Sequence, residues 1–199
     1  MTRRCAGGAL AAGVVAVSAA LARTHRVSAV EERLFRAAND RSDRIRGPVE
    51  IIMQSGALPA VFVVGAAVHR WGPRQRAVPI VIGGSVLWLG IKLAKLPIGR
   101  GRPRQHLDAV QVRGSEQTGL GYPSGHAAIA TMLAMCAPRR GPMRIVALTV
   151  AGLTGFARMY VGAHLPLDIV GGVAIGSLTA CLVDGARPNA PGPVSLAGG

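Results

Sequence analysis

Long apolar stretches separated by short arginine-rich segments constrain the fold of this chain more than any other feature. Six stretches carry little charge, and most of them approach the roughly 20 residues that an α-helix needs to cross a bilayer. They cover residues 5–22, 49–68, 77–94, 125–137, 143–160 and 167–183. The apolar residues form continuous blocks instead of one-sided stripes, which is typical of integral membrane proteins. The sequence therefore predicts an all-α fold, a bundle of six transmembrane helices.

Two of the predicted spans leave alternatives open. The fourth, 125–137, is short for a bilayer, so either Arg139 and Arg140 snorkel toward the surface or the helix lies partly inside the bundle. The first follows Arg3 and Arg4 and ends in small residues, a pattern that also fits a cleaved secretory signal peptide.

The strong positive charge indicates contact with anionic lipid. The 199 residues carry a net charge of +14, with 50% hydrophobic, 16% charged and 4% aromatic residues. In a soluble protein such a charge would favour nucleic-acid binding, but here the arginines lie mainly between apolar blocks and aromatic side chains are scarce. We therefore predict the membrane bilayer as a partner, and no nucleic acid.

Cysteines and carboxylates give no sign of a disulfide framework or a metal site. Cys5, Cys136 and Cys181 are widely spaced, and none belongs to a C-x-x-C motif or has a neighbouring histidine. The nine acidic residues are scattered instead of clustered as a magnesium site requires. The sequence predicts chemistry without a metal or other cofactor.

A shorter helix is predicted between the first two spans. Ser28 followed by Glu31 forms the pattern of a capping box. The apolar residues behind it fall near one helical face; they are Val30, Leu34, Phe35 and Ala38. We expect this helix to lie in the membrane interface.

No linker divides the chain before its end, so residues 1–186 are predicted to form one domain. The remaining residues, 187–199, are rich in proline, glycine and alanine and are predicted to be a disordered tail.

Three short motifs together contain the groups that phosphoryl transfer requires. A phosphoryl group needs cations around its oxygens, a nucleophile for phosphorus and an acid for the leaving oxygen. The motifs are Lys95-x6-Arg102-Pro103, Pro123-Ser124-Gly125-His126 and Arg158-x5-His164-x3-Asp168. Lysine is scarce, because 21 of the 23 basic residues are arginine, so Lys95 at this spacing is informative.

These motifs resemble the signature of the type 2 phosphatidic acid phosphatase superfamily, K-x6-R-P, P-S-G-H and S-R-x5-H-x3-D. One position departs from it, because Ala157 stands where the family usually has serine. The resemblance implies a six-helix core, and on that ground the first apolar stretch is expected to be retained. It also implies metal-independent hydrolysis in which His164 attacks phosphorus and His126 protonates the leaving oxygen.

The residue types fit these roles. Asp168 falls in the first turn of the sixth predicted span, after Pro166, and from there it can reach one ring nitrogen of His164. Ser124 is a good N-cap, so the amides behind it, including that of Gly125, would point at the phosphate.

Cations are expected around the phosphoryl oxygens. Lys95, Arg102 and Arg158 are assigned to these oxygens. Arg100, Arg104 and Arg113 are expected to face lipid headgroups instead, with contact to a second phosphate as the alternative.

Counting spans places all three motifs on one membrane face, because the third and fifth spans end there and the fourth and sixth begin there. The short segments 70–76 and 139–144 are dense in arginine and belong in the cytoplasm by the positive-inside rule. The active site is therefore predicted at the extracytoplasmic face of a multi-pass protein in a bacterial plasma membrane.

The predicted function is removal of a terminal phosphate from a membrane lipid phosphate or diphosphate. A polyprenyl diphosphate or a polyprenyl-phosphoryl sugar phosphate is favoured, with phosphatidic acid or phosphatidylglycerophosphate as alternatives. A lipid phosphotransferase and a non-catalytic lipid transporter also remain open. Soluble haloperoxidases, which share the phosphate pocket, are disfavoured by the apolar blocks. The sequence does not predict the oligomeric state.

Overall fold

The computed structural model describes residues 3–115, 118–137 and 141–185, and within these ranges it contains eight α-helices and no strand. The helices are α1 (Arg3–Arg23), α2 (Ala29–Asn39), α3 (Arg46–Met53), α4 (Leu58–Trp71), α5 (Ala77–Lys95), α6 (Gly125–Cys136), α7 (Pro142–Tyr160) and α8 (Pro166–Gly185). The predicted all-α fold is thus confirmed. The predicted tail, 187–199, lies outside the described residues.

Two of the described helical segments are long and apolar enough to cross a bilayer, Arg74–Lys95 and Pro166–Gly185. A third candidate combines α3 and α4, which meet at a bend of 69°. The apolar part of α1, Gly7–Arg23, and helix α6 are shorter. The count of six spans therefore stays a prediction.

The second apolar stretch was predicted as one span, but the structure divides it at Ala57. This residue is extended, with φ −82° and ψ 156°. Pro59 follows in the first turn of α4, where its missing N–H prevents the hydrogen bond that would continue α3. Ser55 in the break hydrogen-bonds to Thr154 of α7 at 2.7 Å between the hydroxyl oxygens, so the bend is held against the bundle.

Helix α2 begins where the capping pattern predicts, because the Ser28 hydroxyl accepts a hydrogen bond from the Glu31 amide at 3.1 Å. The predicted apolar face is only partly buried. Phe35 and Ala38 are buried, whereas Val30 and Leu34 are exposed. The Glu31 carboxylate points away from the start of α2 and toward α8.

Helix α6 lies at the centre of the bundle, and residues 127–134 are all buried. Its close neighbour is α8, where glycines allow the two backbones to approach. A Cβ on Gly172 would collide with the carbonyl oxygen of Ser124, and one on Gly176 with that of Ala128. Small residues spaced in this way are a common means of packing helices in membranes.

Candidate active site

His164 and Asp168 form a buried pair at the start of α8. The His164 Nδ1 atom lies 3.3 Å from Asp168 Oδ2, which also accepts a hydrogen bond from the Leu165 amide at 3.0 Å. A proton on Nδ1 directed at the carboxylate leaves the lone pair on Nε2. The spacing of four residues brings them together because Asp168 lies in the first turn of the helix and reaches back toward the preceding loop.

The second oxygen of Asp168 is bound to Arg100, an arginine that the sequence predicts at lipid headgroups. Arg100 Nη1 donates to Asp168 Oδ1 at 3.2 Å, and both side chains are completely buried. The expectation that Arg100 faces lipid headgroups is therefore wrong. Arg113 is also buried, with its guanidinium donating to the Tyr160 carbonyl at 2.7 Å, so the same expectation fails there. Arg104 is exposed.

Lys95 lies at the end of α5 and points at the loop that leads into the second motif. Its Nζ donates to the carbonyl oxygens of Leu120 at 2.7 Å and Gly121 at 2.9 Å. An ammonium group carries three protons, so one remains for a further acceptor. The loop is held close to the site, because a Cβ on Gly121 would lie 2.9 Å from Asp168 Oδ2.

Arg102 of the first motif contacts the backbone of the third motif. Its Nη1 donates to the carbonyl oxygen of Ala163 at 2.7 Å, directly before His164. Its Nε is buried and has no hydrogen-bond partner among the residues that the structure describes. Arg102 also lines a cavity of about 250 Å³, together with Arg104, Gln105, Val112, Thr118, Gly119, Val161 and Gly162. A guanidinium donor therefore lies directly beside the backbone that precedes His164.

The second motif forms the N-terminus of α6, as predicted. The Ser124 hydroxyl accepts from the Ala127 amide at 3.4 Å and is fully buried as the N-cap. The Ser124 amide donates to the Asp168 carbonyl at 2.9 Å, so the starts of α6 and α8 are tied together. Gly125 and His126 are half-buried in the first turn of α6.

Arg158 lies in the last turn of α7 and is buried, with Nη1 3.1 Å from the sulfur of Met53. Ala157, beside it, is completely buried in an apolar cluster with Val49, Tyr160 and Val161. The position where the family has a serine hydroxyl therefore lies in apolar surroundings.

Hydrogen bonds bring the three motifs together, from Arg102 to the Ala163 carbonyl and from the Ser124 amide to the Asp168 carbonyl. Burial lowers the pKa of His164 well below its ordinary value, and the charges of Arg158, Lys95, Arg102 and His126 lower it further. The imidazole is therefore neutral near pH 7, the form in which a ring nitrogen is nucleophilic. Within the described ranges, no group of three or more His, Cys, Asp or Glu side chains could hold a metal ion.

Comparison with known proteins identifies the fold. Over 106 residues the chain is 29% identical to an undecaprenyl-diphosphatase of Sulfolobus acidocaldarius, covering 52% of each chain, so it spans about half the length of this curated relative. A transmembrane PAP2-type phosphatidylglycerolphosphate phosphatase from Bacillus subtilis superposes with a TM-score of 0.69 at 24% identity, over 88% of this chain and 94% of that one. Aquifex aeolicus LpxE gives 0.70 at 21% identity, over 79% and 96%.

The Bacillus subtilis and Aquifex aeolicus structures have the same fold as this chain. The family model of the PAP2 superfamily matches residues 77–189, which is more than half of the chain and contains all three motifs. The motif resemblance and the sequence match therefore agree, and this protein belongs to the PAP2 superfamily.

Proposed function

We propose that this protein is a lipid phosphate phosphatase that hydrolyses a terminal phosphate from a membrane lipid phosphate or diphosphate without a metal. The observation that carries the proposal is the buried His164–Asp168 pair at 3.3 Å, close to the cations of the first motif and to Arg158 of the third. A neutral imidazole, oriented by a carboxylate and placed among cations, is an activated nucleophile beside an anion-binding site.

In the first step, the His164 Nε2 lone pair attacks phosphorus. The bond from phosphorus to the lipid oxygen breaks, and His126 transfers a proton to that oxygen. Lys95, Arg102 and Arg158 stabilise the charge on the nonbridging oxygens, and the amides at the start of α6 add partial positive charge. Asp168 stabilises the positive charge that develops on the imidazole.

In the second step, water attacks the phosphohistidine. His126, now neutral, takes a proton from this water, and the bond between nitrogen and phosphorus breaks. The electron pair returns to His164 Nε2, and inorganic phosphate leaves. Both histidines end in the protonation state in which they began the cycle.

A groove between α5 and α8 supports a substrate with a long hydrocarbon tail. It has a volume of about 650 Å³ and is lined almost entirely by apolar residues: Val78, Pro79, Ile82, Gly83, Val86, Leu87, Gly90, Ile91, Ala94, Ile175, Thr179, Leu182 and Val183. Ala94 precedes Lys95, and Ile91 lies 3.4 Å from the position of a Cβ on Gly125. The α5/α8 groove therefore ends beside the phosphate site.

Among lipids, a polyprenyl diphosphate or polyprenyl-phosphoryl sugar phosphate is the favoured substrate. The similarity to an undecaprenyl-diphosphatase supports this choice, although it covers about half of that protein. Phosphatidic acid and phosphatidylglycerophosphate are the alternatives. We place the site at the extracytoplasmic face of a multi-pass bacterial membrane protein, because arginine-dense segments such as 70–76 lie at the other end of the helices.

The proposal is tested by phosphate release from protein purified in detergent, with chelator present, over a panel of polyprenyl and glycerolipid phosphates. His164→Ala and His126→Ala are compared with His69→Ala, an exposed histidine near the end of α4. We expect release by wild type and His69→Ala, none by His164→Ala, and a strongly slowed rate for His126→Ala.

Rapid quenching with phosphorus-labelled substrate should trap an acid-labile, alkali-stable label on wild type and none on His164→Ala. Label transferred to another lipid instead of water would indicate a phosphotransferase. Equal release from His164→Ala and wild type, or no release from any lipid, would contradict the proposal.

A further inference from the structure

Two carboxylates share one buried arginine directly behind the His164–Asp168 pair. Arg100 Nη1 donates to Glu31 Oε1 at 2.9 Å and to Asp168 Oδ1 at 3.2 Å, while Nη2 donates to Glu31 Oε2 at 2.7 Å. Asp168 and Arg100 are fully buried, and Glu31 is 8% exposed. Glu31 belongs to α2, Arg100 to the loop after α5 and Asp168 to α8, so three distant segments meet here.

The contacts of Asp168 determine how its carboxylate is turned. One oxygen, Oδ2, faces His164 and the Leu165 amide, and the other faces Arg100. A buried carboxylate oxygen without a partner costs free energy, so loss of the arginine would favour rotation of the group toward other donors. Arg100 therefore fixes the rotamer in which Oδ2 meets the imidazole.

Glu31 accounts for the charge of this cluster. If Arg100 were paired with Asp168 alone, the guanidinium would cancel the negative charge that the histidine needs. Because Glu31 binds both Nη atoms, the three side chains together carry one net negative charge beside His164. Glu31 also accepts a hydrogen bond from the Leu167 amide at 3.0 Å. This amide lies in the first turn of α8, where an N–H group has no acceptor within its own helix.

We infer that Arg100 and Glu31 are positioning residues for the phosphatase reaction, which orient Asp168 and preserve its negative charge toward His164. The inference rests on the proposed function, in which His164 is the nucleophile. It gives helix α2 a role in the site, although α2 contributes no residue to the three motifs.

A buried arginine can also serve stability alone, and the chain contains one for comparison. Arg113 is buried, donates to Asp43 at 2.7 Å and to the Asn39 carbonyl at 2.8 Å, and contacts neither His164 nor Asp168. Arg113→Lys therefore reports what loss of a structural arginine does to this fold. Glu32→Gln is the control for Glu31→Gln, because Glu32 is the neighbour on the same helix, is only half-buried and pairs with Arg36.

The first test is kinetic. We expect Glu31→Gln and Arg100→Lys to lower kcat about 10- to 100-fold with KM changed less than about twofold, as is usual for residues that orient a reacting group. Glu31→Asp, which keeps the charge, should recover part of the rate. Glu32→Gln and Arg113→Lys should retain wild-type kcat per folded molecule, as judged by thermal unfolding. Wild-type kcat in Glu31→Gln and Arg100→Lys would overturn the inference.

The second test is independent of activity. In protein labelled with nitrogen-15 histidine, the ring signals of His164, assigned with His164→Gln, report its tautomer and its pKa. The charged and titratable groups facing His164 are Lys95, Arg102, His126, Arg158 and Asp168, and these are unchanged in the variants. We expect Glu31→Gln and Arg100→Lys to reduce the Nδ1-protonated tautomer or lower the pKa further, unlike the controls.

The two tests separate the possible failures. No phosphate release from wild type would contradict the proposed function, while the histidine signals would still decide whether Glu31 and Arg100 orient the pair. Phosphate release with unchanged signals in both variants would overturn the inference alone. If Glu31→Gln does not fold, Glu31→Asp and Arg100→Lys decide the question by the same signals.

Discussion

Gly56 lies directly against the backbone of His126, so that a Cβ at position 56 would fall 2.8 Å from the carbonyl carbon of His126. Gly56 belongs to the break between α3 and α4, and His126 to the first turn of α6. The bend in the second apolar stretch therefore packs against the helix terminus that carries a candidate catalytic residue.

Gly56→Ala should lower kcat, because the new methyl group must displace the start of α6. A displacement of about 1 Å in an active site can cost on the order of 100-fold in rate. Phosphate release from the preferred lipid measures the effect. The control is Gly47→Ala in α3, where a Cβ meets nothing within 4 Å. Equal loss in both variants would mean that the contact with His126 is not responsible.

Gly176→Ala should destabilise the protein, because its Cβ would collide with the Ala128 carbonyl and separate α6 from α8. Overpacking of this kind costs about 1–3 kcal/mol. Thermal unfolding in detergent provides the measurement. Gly152→Ala in α7 has open space around its Cβ and should leave the midpoint unchanged or slightly raised. An unchanged midpoint for Gly176→Ala would contradict the close packing of the two helices.

The lowered pKa of His164, caused first by burial, predicts that its imidazole stays neutral in mildly acidic solution. At pH 5.5 a histidine with an ordinary pKa would be about nine-tenths protonated. The His164 ring signals should instead remain at their neutral positions. At pH values between 6.5, the ordinary pKa of histidine, and the lowered pKa of His164, the unfolded chain binds more protons than the folded one. This histidine therefore makes the fold less stable as the pH falls through that range. Half-protonation near pH 6.5 would show that the site is open to water.

Gly90→Phe should discriminate between substrates by tail length. Gly90 lines the α5/α8 groove and its Cβ position has nothing within 4 Å, so a side chain can begin there without a collision, and that of phenylalanine would narrow the groove. We expect kcat/KM to fall about tenfold for a long polyprenyl diphosphate and little for a short one, since only the long tail needs the groove. Leu89→Phe, at an exposed position on the same helix, is the control. Equal losses for both tail lengths would exclude the groove as the tail site.

Ala157→Ser should leave turnover within about twofold of wild type. Ala157 is completely buried in an apolar cluster, and a hydroxyl there would hydrogen-bond to a carbonyl of its own helix one turn earlier. Initial rates at saturating lipid measure the effect. A clear increase in kcat would show that the hydroxyl reaches the phosphate and that its absence slows this protein.

Two arginines in one loop show that the sequence alone does not predict which charged side chain is buried. Arg100 and Arg104 are the same residue type, four positions apart, and both were expected at lipid headgroups. Arg104 is exposed, whereas Arg100 is fully buried between Glu31 and Asp168. Nothing local distinguishes them, because the burial of Arg100 depends on carboxylates from two helices that are distant in the chain.

The sequence by itself determined the elements and the motifs that meet. Apolar blocks predict where helices form, Ser28 and Ser124 predict where two of them begin, and the spacing of His164 and Asp168 places both at one helix start. These features are local, since they depend on helical periodicity and on hydrogen bonds within a turn.

The tertiary structure alone decided which polar groups pair between segments. It directs Glu31 to Arg100 instead of its own cap, places Gly56 on the backbone of His126 and buries Ala157 among apolar side chains. A buried ion needs its partner wherever the packing provides one, and packing is set by the close approach of whole helices. The chain thus specifies the motifs of the candidate site locally, while the orientation of its carboxylate depends on contacts that form only when the bundle is assembled.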